Sequence, residues 1–254
     1  MNILVAVKRV PMTGGRIVLR DDRQEIDTRH LGFTISPHEE CAAEEAVRLI
    51  EAHGGSSTVL TLGPPEAEEQ LRDALAVGVD RALHLVSDGE EWDPQATAAA
   101  IVAAIAAERD AGTRYDLILF GNESADAANF QVAMRVAAAL ALPCVSGVKA
   151  ISLDGGRIRC EQEVGGGRDV YELELPAVVA VKEGLNLPRY PSVPGRLRAK
   201  RKPLEASSPQ RPGARLRKLE LALPPGSGKQ ARILGSGADA AGAVVEVLAE
   251  LGLL

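Results

Sequence analysis

A chain of 254 residues, 46% hydrophobic and 25% charged, has enough apolar material for one sizeable core, which sets aside a disordered polyelectrolyte. Its net charge of -6 argues against general nucleic-acid binding. Three cysteines without CxxC spacing and four scattered histidines point to neither a disulfide framework nor a metal site, and no Ser/His/Asp arrangement or carboxylate pair supports hydrolysis.

Residues 2–8 predict a buried first strand, and residues 16–27 a hairpin-like excursion with turns at Gly14-Gly15 and Asp21-Asp22. The chain opens directly on that strand, so no signal peptide is expected. The longest apolar run, residues 98–107, is too short to span a bilayer, and a reducing, cytoplasmic setting fits.

Ser36-Pro37 supplies an N-cap and an N1 proline for a first helix. Its stripe of Ala42, Ala46, Val47 and Ile50 ends before Gly54-Gly55. Strand 57–62, helix 65–77 closed by Gly78, strand 82–86, a long helix from Asp93-Pro94 to about 110, and strand 115–120 follow in turn. A loop over 121–128 then leads into a helix ending near 140. Continuous apolar strands alternating with helices predict a parallel, Rossmann-like α/β sheet covered on both faces. Ligands bind such sheets beyond the carboxyl ends of the strands, so the loops after Lys8, Leu62 and Phe120 are the candidate site.

From Gly147 the period changes to two. Strands at 148–153, 158–164 and 170–175 form an antiparallel β-meander before 177–181 re-enters the buried sheet. The organisation expected is an α/β nucleotide-binding domain over 1–190 and an extended C-terminal arm over 191–254. The arm ends in a helix at 238–251 whose stripe of Ala241, Val244, Val245, Leu248 and Leu251 needs a surface to lie on. Gly235-Ser-Gly237-Ala-Asp-Ala240 imitates a dinucleotide fingerprint, but too little chain follows to build its βαβ unit.

Residues 181–204 carry prolines at 188, 191 and 194, a spacing that predicts an extended, polyproline-like run with outward side chains. Leu185 and Leu187 precede it without a pattern that would bury them, so they are either incidental linker residues or are offered to a partner. Residues 189–218 hold ten Lys or Arg against one acid, a local positive arm suited to phosphate, to an acidic protein surface, or simply to solvent. In the loop opened by Gly121, glycine allows close approach and the next helix start offers free amides to a phosphate. Equally, Ser124 or Asp126 could serve only as a helix cap. Asp126 repels phosphate, which places an anion nearer residues 130–132 with Asp126 turned away.

The run Leu185, Asn186, Pro188, Arg189, Tyr190, Pro191 and Ser192, followed by Ala199 to Lys202, resembles the signature of the electron-transfer flavoprotein β subunit. VAVKRV at 5–10, SPHEECAAEEAVRL at 36–49, ALAVGVDRA at 74–82 and GNESADAANFQ at 121–131 resemble the same family in the same order, and the likeness fades after about 205. It implies an adenine-nucleotide-hydrolase-like sheet and an electron carrier with no catalytic acid or base of its own. By resemblance, AMP contacts fall on Ala6, Ser36, Pro37, His38, Glu39 and Leu62, and on the loop residues Gly121, Asn122, Glu123, Ser124, Ala125, Asp126, Ala127, Ala128, Asn129, Phe130, Gln131 and Val132. Relatives often carry Asn-x-Thr-Gly around the glutamine. Phe130, Val132 and Ala133 stand here instead, so a hydroxyl donor is missing and backbone amides must serve.

The resemblance further implies an α subunit holding most of the FAD. Partner recognition falls to Leu185, Asn186, Pro188, Arg189 and Tyr190, with Leu185 as the anchor. Electrons pass from flavin dehydrogenases, such as acyl-CoA dehydrogenases, towards a membrane quinone oxidoreductase. An electron-bifurcating member with a second FAD in the AMP site, and a stand-alone ATP-binding stress-type protein of the same fold, are the alternatives.

Overall fold

In the computed structural model, residues 1–14, 17–225 and 232–254 are described. Gly15 and Arg16 of the excursion and Ala231, next to the false fingerprint, lie outside them. Among the described residues, eleven strands and six helices follow in chain order. They are β1 (Asn2–Ala6), β2 (Val10–Pro11), β3 (Phe33–Thr34), α1 (Pro37–His53), β4 (Ser56–Gly63), a 3-10 turn (Pro65–Ala67), α2 (Glu68–Val77), β5 (Arg81–Val86) and α3 (Pro94–Asp110). Then come β6 (Leu117–Gly121), α4 (Val132–Leu140), β7 (Cys144–Asp154), β8 (Arg157–Val164), β9 (Gly167–Glu174), β10 (Ala177–Val181), α5 (Val193–Ala199), β11 (Leu204–Ser207), a second 3-10 turn (Ala238–Ala240) and α6 (Ala241–Glu250).

Nine strands form one sheet in the order β11-β5-β4-β1-β6-β10-β7-β8-β9, parallel from β11 to β7 and antiparallel across β8 and β9. The α/β reading and the appended meander both hold. Period-two alternation splits each central strand between two cores. Ile3, Val5, Leu117, Leu119 and Val179 face α1 and α2, whereas Leu4, Ile118, Phe120 and Val178 face α3 and α4. The chain steps outward from β1 through β4 to β5, then returns to β6 on the other side of β1. The switch point therefore lies between the carboxyl ends of β1 and β6.

Two expectations fail. The segment 181–204 is not extended throughout: Ser192 accepts a hydrogen bond from Gly195 N–H, and Val193–Ala199 is helical with Pro194 in its first turn. A proline there lacks only a donor that has no helical partner anyway, so the three-residue spacing that suggested polyproline geometry is also compatible with a helix start. The chain then returns as β11, parallel to β5, and extends the sheet to Ser207, past the expected limit at 190. Four residues on an edge carry too weak a pattern to announce a strand.

The excursion after β2 does close on itself through an antiparallel bridge between Leu19 and Ile26. An open groove of about 590 Å³ lies between it and Ala222 and Leu223, away from the switch point.

Candidate functional site

The switch point is built around the first turn of α1. Ser36 caps the helix and Glu39 completes a capping box: one Glu39 oxygen accepts from Ser36 N–H at 2.8 Å and the other from Lys8 N–H at 2.8 Å. The end of β1 is thereby fastened to the start of α1. Glu39 is buried, and burial pushes its carboxyl up to about 7 against the opposing hydrogen bonds from Ser36 and Lys8.

A carboxyl raised from about 4.5 to about 7 on folding binds a proton that the unfolded chain releases, so its contribution to stability is greatest below pH 4.5 and declines as pH rises to 7. In Glu39→Gln this decline should disappear from the Tm-against-pH curve. Overall stability should fall at low pH, because an amide nitrogen cannot accept either N–H.

Residues 122–131 form the loop between β6 and α4, so the loop runs longer and the helix begins later than the sequence suggests. Asn122 N–H donates to Val181 O at 2.8 Å and its Oδ1 accepts from Gly147 N–H at 2.8 Å, joining the ends of β6, β10 and β7. Ser36 Oγ donates to Glu123 O at 3.2 Å. His38 Nδ1 accepts from Glu183 N–H at 2.7 Å, which leaves Nε2 carrying the proton, 3.4 Å from Glu123 Oε1. His38 thus connects the loop at the switch point to the segment following β10.

Gly121 is needed for a different neighbour than expected. A Cβ there would sit 2.7 Å from Glu39 Cγ and 3.0 Å from Glu39 N, so the glycine lets α1, not a ligand, approach β6. Asp126 is paired with Lys8 Nζ at 2.6 Å. Burial acts to raise its carboxyl, yet the Lys8 ammonium and hydrogen bonds hold it below the usual range. Lys8 also lies 3.7 Å from Glu91. Its place in the site was missed, although the cation pair Lys8-Arg9 just past the end of the switch-point strand is a signal in its own right.

α4 starts with Gln131, which makes no side-chain cap bond to the helix. Its Oε1 instead accepts from Arg135 Nε at 3.1 Å and Nη2 at 2.8 Å. The first amides of α4 are left open to an anion, a guanidinium stands one turn away, and Ala128 and Phe130 bend the approach with φ of 46° and 54°. Ala6 and Leu62 flank this mouth from β1 and β4, the former buried and the latter half-buried.

The second candidate element is the segment after β10. Arg189 forks onto Glu44, with Nε 2.9 Å from Oε2 and Nη2 3.0 Å from Oε1, and reaches Glu51 through Nη1 at 2.7 Å. Asn186 Nδ2 donates to Cys41 O at 3.0 Å and to Glu45 Oε2 at 2.9 Å. Leu185 is not displayed: it is half-buried and packs on the core, because the Asn186 and Arg189 tethers draw it onto α1. Leu187 and Tyr190 are the outward residues, 91% and 96% exposed.

A model of the electron transfer flavoprotein domain matches residues 25–211. The chain is 37% identical over 207 residues to an electron transfer flavoprotein subunit beta of Bacillus subtilis, covering 81% of this chain and 78% of that one. It is 35% identical over 226 residues to the subunit beta of Syntrophomonas wolfei, covering 89% and 86%. The mitochondrial subunit beta of Oryza sativa subsp. indica is 34% identical over 213 residues, 83% of each. The chain belongs to the electron transfer flavoprotein β-subunit family. Electron transport is the work of this carrier family, and its flavin association comes with membership. Among the described residues, no helix is long and apolar enough to cross a membrane.

Proposed function

We propose that the chain is the β half of a heterodimeric electron-transfer flavoprotein, with AMP in the switch-point loop and FAD held mainly by an α subunit. The observation that carries the nucleotide reading is the uncapped start of α4, one turn from Arg135, beside a loop in which Asp126 is neutralised by Lys8 and Glu123 faces His38. Ala6, Leu62, residues 36–39 and residues 121–132 border the nucleotide. It is a structural ligand, and no general acid or base is assigned. The loop 185–190 docks flavin dehydrogenases, with Leu185, Asn186, Pro188 and Arg189 shaping it and Tyr190 facing the partner. Electrons then leave towards a membrane quinone oxidoreductase, the protein itself remaining cytoplasmic. The exposed apolar face of α6, with Val244, Val245 and Leu251 open to solvent, is the part of the arm that lies on the α subunit.

Co-expression with an α subunit, followed by counting nucleotides per heterodimer, tests this reading. One FAD and one AMP are expected. Two FAD and no AMP would instead identify a bifurcating member, a reading left open by Val132 standing where a hydroxyl would meet phosphate. Stoichiometric flavin on the chain alone would overturn the heterodimer.

A sharper check is Gln131→Glu, which keeps the shape and the Arg135 contact but sets a carboxylate at the start of α4. AMP affinity should fall about tenfold by titration while Tm holds or rises, since a negative charge suits a helix N-terminus but repels phosphate.

A further inference from the structure

We infer that Arg135 sets the phosphate specificity of the switch-point site: on nucleotide binding its guanidinium leaves the Gln131 amide for the phosphate, so that the site takes a nucleoside monophosphate and discriminates against the bare nucleoside. This rests on the reading of residues 121–132 as a nucleotide loop and adds to it the side chain that selects the ligand.

Arg135 is the one polar side chain of α4, the rest being Val, Ala, Met and Leu. Helical side chains lean towards the N-terminus, so from the second turn Arg135 lies back over the first. There it meets Gln131 Oε1, through Nε at 3.1 Å and Nη2 at 2.8 Å, and through Nη1 it reaches Gln95 Oε1 in the first turn of α3. In that first turn of α4 the amides of Val132, Ala133 and Met134 have no acceptor one turn back, and their side chains bring no donor.

No carboxylate answers the Arg135 charge among the described residues. The other half-buried guanidiniums are matched: Arg72 by Glu68 at 3.0 Å, Arg81 by Glu108, Arg211 by Glu90 at 2.6 Å, and Arg9 by the ring of Phe33, with Glu66 and Glu69 acting on it. Asp93, two residues before Gln95, is already committed, with Oδ1 accepting from Ala96 N–H and Oδ2 from the N–H groups of Arg215 and Leu216. Arg135 therefore rests on two neutral amide oxygens.

A phosphate improves on both of them. It offers the fork of N–H groups paired oxygens with full negative charge, and such charge-assisted bonds are about twice as strong as neutral ones. One helical turn, about 5 Å along the axis, separates the open amides from the Arg135 backbone, which is within the reach of the side chain. Gln131 makes no cap bond to α4, so its release of the guanidinium leaves the helix start intact.

The test uses the heterodimer with its α subunit, freed of bound nucleotide and titrated with AMP and with adenosine. In Arg135→Gln, AMP affinity should fall roughly ten- to a hundredfold while adenosine affinity holds within about twofold and Tm is unchanged. Arg135→Lys should recover part of the loss, since an ammonium keeps the charge without the fork. Added salt should weaken AMP binding more in the wild type than in Arg135→Gln. By phosphorus NMR, bound AMP should lose its last phosphate proton at lower pH in the wild type than in Arg135→Gln, because the guanidinium favours the dianion.

If the wild type binds AMP and Arg135→Gln binds it equally well, backbone amides alone hold the phosphate; the inference falls and the nucleotide reading stands. Equal affinity of the wild type for AMP and adenosine overturns the inference in the same way. If AMP affinity, adenosine affinity and Tm fall together in Arg135→Gln, the residue is a staple between α3 and α4 and selects nothing. If the wild type binds neither AMP nor adenosine, the nucleotide reading falls and takes this inference with it.

Discussion

Gly121→Val should cost roughly 3 kcal/mol or more, because the new side chain meets the backbone and Cγ of Glu39, atoms that cannot swing away. For a domain of this size that is a fall in Tm of about 10 °C. Relief requires the first turn of α1 to lift from β6, which breaks the Glu39 bonds to Lys8 and Ser36 and the Ser36 bond to Glu123 together. Bound nucleotide should therefore be lost along with stability. The pairing with Gln131→Glu is informative, since that change should lower nucleotide affinity alone. Thermal unfolding with and without AMP on both variants checks the pair. A Gly121→Val chain of unchanged Tm would contradict the packing described for α1.

Arg189→Ala should have the largest effect on electron acceptance. It strands Glu44, whose side chain is only 7% exposed, and frees Glu51, whose carboxyl Arg189 holds below its usual range chiefly by hydrogen bonding. Arg189 is itself 37% exposed, which tempers the loss to about 2–3 kcal/mol, below that of a fully buried pair. The docking segment then comes away from α1, and Leu185 with it. Reduction of the flavin by a dehydrogenase should slow by more than tenfold in the bimolecular regime, with flavin content retained. Arg189→Lys should recover only part of the rate, because a single ammonium cannot bridge Glu44 and Glu51 in the fork geometry. A rate that tracks Tm alone across the three proteins would reduce Arg189 to a purely structural clamp.

Ser36, Pro37 and Glu39 show what could be read without coordinates. A capping residue, an N1 proline and early acids are local signals with local causes, and α1 begins where they place it. The parallel strands were equally legible, because burial on both faces demands unbroken apolar runs such as those of β6 and β10. The order of those runs implied the switch point and the loops around it, and the motifs at 36–49, 121–131 and 185–192 carried the family.

Tertiary structure decided the rest. Gly121 looked like room for a ligand, but only the crossing of α1 over β6 shows that the helix itself occupies that room. Leu185 and Leu187 are indistinguishable as sequence. The bonds from Asn186 and Arg189 to α1, more than a hundred residues away, bury one and expose the other. Lys8 became part of the site only when β1 and the β6–α4 loop brought it to Asp126. β11 and α5 followed the same rule: a short edge strand and a seven-residue helix have little pattern of their own, and the surfaces of β5 and α2 that receive them are set by the whole sheet.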